Sequence, residues 1–221
     1  MIRKNKWQLI LSSVIILLPV VAGLLIWNDL PQQIATHWDI YGEPNRWSSR
    51  RFAVLEMPLI FLAVHWACIL FTVRDPKNKN QNSKVFSMVL WFLPIISLIA
   101  CGFTYAAALG YGVDNVMIPR NFLGILFVIA GNYLPKCKQN HTIGIKVTWA
   151  LRNEENSNKT HRFAGRLWVI CGLLLLATIF VPMEKYITVF FPLILFMALA
   201  PIVYSYVYYR KQLKSGTAAK V

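Results

Sequence analysis

Apolar residues along this chain gather into six runs, set apart by polar segments. The runs cover Trp7 to Trp27, about Phe52 to Val73, about Val85 to Leu109, about Asn121 to Leu134, about Leu167 to Val181 and about Tyr186 to Tyr209. A helix of about 20 apolar residues crosses the hydrocarbon of a bilayer, and a helix satisfies its own backbone groups where no water can. The pattern predicts an all-α integral membrane protein with six transmembrane helices, the fourth of them short. A signal peptide would give the first run a shorter apolar core, with a small-residue cleavage site after it. Neither is seen, so the first run is read as an uncleaved span, with Pro19 placed to kink it.

Two polar segments carry patterns of their own. Asn28 to Arg51 mixes prolines, a glycine and charge with Trp38 and Trp47, which suits a folded segment at the membrane interface. Gly131 to Arg166 is the long polar stretch of an otherwise apolar chain. Within it Ile143, Ile145, Val147, Trp149 and Leu151 occupy every second position, which predicts an extended segment packed on one side. Asn153 followed by Glu154 and Glu155 predicts a helix start, with a side-chain cap and acids near the positive end of the dipole. Glu155 and Lys159 then stand at i and i+4 in the favourable order, and Arg162 and Arg166 continue that face. Tyr204, Tyr206, Tyr208 and Tyr209 close the sixth run as an interfacial belt.

Composition agrees with the membrane reading. The chain is 57% hydrophobic and only 14% charged, with a mean hydropathy of +0.49, whereas about a quarter of the residues in a soluble domain are charged. A net charge of +14 would suggest nucleic acid in a soluble protein. Here the cations cluster between the apolar runs, where they set topology and meet anionic lipid, and no direct nucleic-acid contact is expected. The N-terminus, the second loop, the long loop and the C-terminus carry 18 of the 23 Lys and Arg. That asymmetry predicts both termini and the long loop on the cytoplasmic side of the cell membrane. Cys68, Cys101, Cys137 and Cys171 show no paired spacing and read as reduced packing residues.

Candidate chemistry is sparse. His37, Asp39 and Glu43 offer nitrogen and oxygen ligands, but their spacing is no recognised zinc pattern, and a hydrogen-bonded histidine ordering a Trp-rich loop is the expected reading. Pro31, Gly42 and Pro44 read as turn residues. Glu56 and His65 are ionisable groups inside the second span, costly there and candidates for function, yet their spacing puts them on nearly opposite helix faces. In the long loop, Asn132, Lys136, Asn140, Asn153, Glu154, His161 and Arg162 are expected to form a polar cluster that holds the extended segment and presents a docking face. No nucleophile motif, phosphate loop or HExxH appears, so neither an enzyme nor a cofactor is expected. A small-solute transporter is the first alternative and a membrane-embedded enzyme the second.

Leu30, Pro31, Ile34, His37, Trp38, Gly42, Pro44 and Trp47 fit LPxxIxxHWxxxGxPxxW, and the long loop reads GNYLPKxKxNxxIGIKxxWxLxNEExxxKTHRxxGR. Together these resemble the SdpI-type immunity protein family. The resemblance marks Asn132, Pro135, Lys136, Asn140, Gly144, Lys146, Trp149, Asn153, Glu154, Lys159, Thr160, His161 and Arg162 as the loop motif. It implies a multi-pass membrane protein that protects a bacterium from its own secreted killing-factor peptide. It also implies, for some members, recruitment of a cytoplasmic repressor. His37, Trp38, Asp39, Gly42, Pro44 and Trp47 would then form a toxin-facing outer loop. The expected division is a two-span unit over 1–84, a four-span SdpI-like unit over 85–209 with an ordered loop at 135–166, and a basic tail over 210–221. Three residues depart from the family pattern. Asn156 and Ser157 stand where an aromatic is expected before KTHR, and Ala35 stands where proline is usual before HW.

Overall fold

The structure is a computed structural model that describes Ile2 and residues 5–215. Arg3, Lys4 and the end of the basic tail, 216–221, lie outside the described residues. Among the described residues six helices are long and apolar enough to cross a membrane: Lys6–Leu25, Phe52–Arg74, Ser83–Ala108, Met117–Lys136, Glu154–Phe180 and Lys185–Lys214. The helical class and the six spans therefore stand, with the chain forming two packing units.

The first unit takes its described residues from 1–73 and 86–118. It contains helix α1 (Lys6–Leu25), strands β1 (Gln33–Trp38) and β2 (Pro44–Ser49), a π-helical turn at Phe52–Glu56 that runs into α2 (Met57–Arg74), and most of α3 (Ser83–Ala108). The segment between the first two spans is thus an antiparallel hairpin, pairing Gln33 with Ser49 and Trp38 with Pro44. Leu30, Ile34, Ala53, Val54, Cys101 and Tyr105 make the core beneath it. Toward the opposite ends of the helices Leu9, Ile69, Phe86 and Leu90 pack together. Pro19 interrupts the α1 hydrogen-bond ladder, and hydroxyls of α3 bond the nearby backbone: Ser97 Oγ donates to the Ile16 carbonyl at 3.2 Å and Tyr105 OH to that of Pro19 at 3.2 Å.

The second unit takes its described residues from 74–85 and 119–215. It holds a 3₁₀ turn at Pro76–Asn80, α4 (Met117–Tyr133) with a 3₁₀ turn at Leu134–Lys136, α5 (Thr148–Arg152), α6 (Glu154–Ala177) and α7 (Met183–Lys214). Helices α4 and α6 meet backbone to backbone. A Cβ on Gly131 would lie 2.7 Å from the Gly165 carbonyl oxygen, and one on Gly172 would lie 2.9 Å from that of Gly124. Small residues permit this approach in lipid, where helices gain by close packing rather than by hydrophobic burial. Helices α6 and α7 are joined by a stacked Phe163–Tyr204 pair with ring centroids 4.5 Å apart, and by Trp168 Nε1 donating to the Met197 carbonyl at 3.1 Å.

One expectation about the long loop is corrected. Residues 143–147 are irregular and 148–152 form the short helix α5, so Ile143 to Leu151 is no continuous extended ribbon. Among the described residues no strand runs beside it, and side chains of Asn140 and His161 meet the backbone of Ile143 and Ile145 instead. The predicted helix start does form. Asn153 Oδ1 accepts from the Asn156 amide at 2.8 Å, and α6 runs unbroken from Glu154 into the fifth span.

Candidate functional site

The hairpin is held by local polar bonds. Asp39 terminates β1 through its carboxylate, which accepts from the Tyr41 amide at 2.9 Å and the Glu43 amide at 3.0 Å. Gly42 follows at φ +84°, a conformation that costs glycine little. The same residue lies against the loop after α3. Its carbonyl accepts from Asn115 Nδ2 at 3.2 Å, and a Cβ there would meet Val116 at 2.8 Å. His37 Nδ1 pairs with Asn45 Oδ1 at 2.6 Å across the strands. Among the described residues no three His, Cys, Asp or Glu side chains gather as a metal site.

The two tryptophans have different surroundings. Trp38 meets Phe103 of α3 edge to face, centroids 4.8 Å apart, whereas Trp47 is 56% exposed. Ile40 and Tyr41 at the hairpin tip are 47% and 61% exposed, giving an apolar tip on a polar hairpin. Neither was singled out in the sequence, although the WDIYGE run contains both.

Glu56 and His65 do not converge. The Glu56 carboxylate is half exposed and lies 3.5 Å from Arg51 Nε. His65 is wholly buried, its Nε2 3.0 Å from Ser12 Oγ of α1, with Nδ1 lacking a partner.

The long loop is organised by two buried side chains. Asn140 donates from Nδ2 to the carbonyls of Lys138 at 2.7 Å and Ile143 at 3.0 Å, while its oxygen accepts from the Thr142 amide at 2.8 Å and from the Ile143 amide. His161 reaches the loop from α6. Its Nδ1 lies 3.1 Å from the Cys137 carbonyl, and Ile145 N–H donates to Nε2 at 3.2 Å. A carbonyl only accepts and an amide N–H only donates, so both bonds form together only in the neutral Nδ1–H tautomer. Gly144, at φ +97°, lies flat on this ring, and a Cβ there would fall 2.5 Å from Nε2. Burial pushes the Cys137 thiol beside it up to about 11.

Other motif residues support the same loop. Pro135 covers Gly165, Lys136 Nζ sits 4.6 Å from the Tyr133 ring centroid, and Lys146 donates to the Thr142 carbonyl at 3.2 Å. Trp149 of α5 packs against Tyr206 and Tyr209, so two of the belt tyrosines hold the loop. Asn132, Glu154 and Arg162 are exposed, whereas Asn140 and His161 are buried. On α6 this follows helical phase: His161 faces the loop and Arg162, one residue on, faces away.

A second polar group ties α6 to α7. Lys159 Nζ contacts Glu155 Oε1 at 2.9 Å and Tyr208 OH at 2.7 Å, and Gln212 donates to Glu155 Oε2 at 3.1 Å. Deeper, Asn156 Nδ2 donates to the Ser205 carbonyl at 3.0 Å, and its oxygen accepts from Ser205 Oγ at 2.6 Å and Thr160 Oγ1 at 3.0 Å. The departure at Asn156 is thus matched by Ser205, and both are buried.

Sequence reasoning missed the segment 74–85 as a partner of the loop. Asp75 Oδ2 accepts from the His141 amide at 2.7 Å, Asn78 donates to Thr142 Oγ1 at 2.7 Å, and Gln81 Oε1 accepts from the Lys138 amide at 2.9 Å. All three are buried. The available signal was Asp75 itself, a single acid among four cations.

Residues 136–205 match the model of the SdpI/YfhL protein family, and residues 14–62 match a domain of unknown function, DUF1648. The chain is 27% identical over 203 residues to Immunity protein SdpI of Bacillus subtilis strain 168, a similarity covering 91% of this chain and 96% of that protein. No solved structure matches significantly. The first family segment contains the His161, Asn140 and Gly144 core of the long loop, and the second contains the hairpin. The chain is a multi-pass bacterial membrane protein that is similar to the SdpI/YfhL family over residues 136–205 and to Immunity protein SdpI along most of its length.

Proposed function

We propose that this protein is a membrane immunity protein, which protects a bacterium from a secreted antimicrobial peptide without catalysing a reaction. The observation that carries this reading is the similarity to Immunity protein SdpI along nearly the whole of both chains. The charge asymmetry supports an orientation with the long loop in the cytoplasm and the hairpin outside, where a secreted peptide arrives. Ile40, Tyr41 and Trp47 then form the apolar contact for the peptide, while Trp38, Asp39, Gly42 and Pro44 shape the hairpin and His37 bonds across it. Aromatic side chains suit such a contact because they offer large area at low entropic cost.

A finer reading adds signalling. The ordered cytoplasmic loop presents Lys138, Lys146 and Arg152 to a transcriptional repressor and holds it at the membrane. On that reading a repressor co-purifies with the membrane fraction and is lost on Lys138→Glu; its absence from membranes during toxin exposure contradicts it. The immunity reading is tested by deleting the gene in the host that carries it. The deletion strain is expected to become sensitive to the host's own spent medium. Unimpaired growth there overturns the proposal.

A further inference from the structure

The exposed face of α6 changes character along its length. Ile170, Leu173 and Leu174 are exposed apolar residues on the membrane-spanning part. Continuing toward the N-terminus at four-residue steps, the same stripe presents Arg166 and then Arg162, both exposed. Four residues of helix rise about 6 Å, so Arg166 stands about 6 Å and Arg162 about 12 Å beyond the first exposed isoleucine. Among the described residues neither guanidinium has a hydrogen-bond or ion-pair partner. Of the two acids in the first turn of α6, Glu155 is occupied by Lys159, Tyr208 and Gln212, and Glu154 precedes Arg162 by eight residues, about 12 Å along the helix.

Helix α7 repeats the change in the reverse direction. Its exposed apolar residues Leu195, Leu199, Ile202, Val203 and Val207 lead into exposed Arg210, Lys211 and Lys214. Because α6 and α7 are packed together, both stripes become cationic. The α6 stripe, apolar and ending in two unpaired guanidiniums, matches one surroundings closely: acyl chains followed by phosphate. Arginine forms paired hydrogen bonds to phosphate oxygens that a lysine ammonium cannot.

We propose that Arg162 and Arg166 bind anionic phospholipid headgroups, fixing the membrane boundary of α6 between Arg166 and Ile170. The apolar stretch from Leu167 to Phe180 extends about 21 Å at 1.5 Å per residue, less than the ~30 Å of a typical hydrocarbon core. Headgroups are therefore drawn toward the arginines at this face, and the two guanidiniums hold them there. The assignment does not depend on the immunity reading.

The test uses the full purified chain in detergent, titrated with phosphatidylglycerol or phosphatidylcholine and followed by thermal unfolding. Phosphatidylglycerol is expected to raise the midpoint more than phosphatidylcholine, with the difference shrinking in high salt. Arg162→Gln and Arg166→Gln should each weaken the apparent affinity roughly 5-fold. Arg162→Lys with Arg166→Lys should recover part of it. Lys79→Gln with Lys138→Gln removes as much charge from the same unit and should leave the preference intact. Far-UV circular dichroism of each variant separates lost binding from lost fold. Equal stabilisation of the unsubstituted protein by both lipids, an equal shift with inorganic phosphate, or equal loss in the Lys79 and Lys138 variant overturns the proposal.

Discussion

His161 and Gly144 act as a single constraint. The ring fixes the carbonyl of buried Cys137 and the amide of half-buried Ile145. Leaving a buried group such as the Cys137 carbonyl unsatisfied costs ~1–3 kcal/mol. Gly144→Ala would force a side chain into the ring from a left-handed backbone, and should cost ~1–3 kcal/mol. His161→Ala should cost a similar amount. Because both act at one contact, the double variant should lose less than the two single losses added, as measured by unfolding in detergent. Full additivity contradicts the shared role. Cys137 gives a separate check. Burial raises its thiol from 9.0 to about 11, which at pH 8 leaves about 100-fold less thiolate than in the unfolded chain. A maleimide should therefore modify Cys137 only after denaturation.

At the scale of elements, the α4–α6 contact rests on glycine rather than on bulk. Gly165 faces the Gly131 carbonyl and the Pro135 ring, with 2.6 Å to each from the place of a Cβ. Gly165→Leu should separate the helices and sharply reduce membrane accumulation, read by immunoblot of the membrane fraction. Ala at the exposed Gly112, where nothing lies within 4 Å, should leave accumulation unchanged. Normal accumulation of the leucine variant contradicts the close contact.

The helices were legible because twenty apolar residues in a row have few other solutions, and the start of α6 was legible because a cap is local. The hairpin was not read from its residues. Its strands are mostly polar on both faces, and the register is broken between Ala35 and His37, so the alternation that betrays a strand is disturbed. In the long loop the alternation of Ile143 to Leu151 was real but misleading, since among the described residues no strand lies beside it. The ties from Asp75, Asn78 and Gln81 to residues 138–142 span more than fifty positions, and no periodicity reports such a pairing. The residues of the loop motif were legible, through the family pattern; their division into buried organisers and exposed cations was not.

At the scale of the whole molecule, orientation and protection are the two testable properties. The charge asymmetry leads to a definite labelling result in intact cells. With the native cysteines replaced, Trp47→Cys should react with an impermeant maleimide, and Lys138→Cys should react only after permeabilisation. The reverse pattern contradicts the orientation. Protection is measured most directly by growth inhibition curves in a sensitive bacterium carrying this chain or an empty vector. The curves are taken over a panel of secreted killing peptides that includes those of the native host, with the protein verified in the membrane. The chain is expected to raise the inhibitory concentration of its cognate peptide at least about 10-fold, an apparent gain of ~1.4 kcal/mol, and Tyr41→Ala with Trp47→Ala to reduce the gain. Inhibition curves that coincide with the empty vector for every peptide would contradict it.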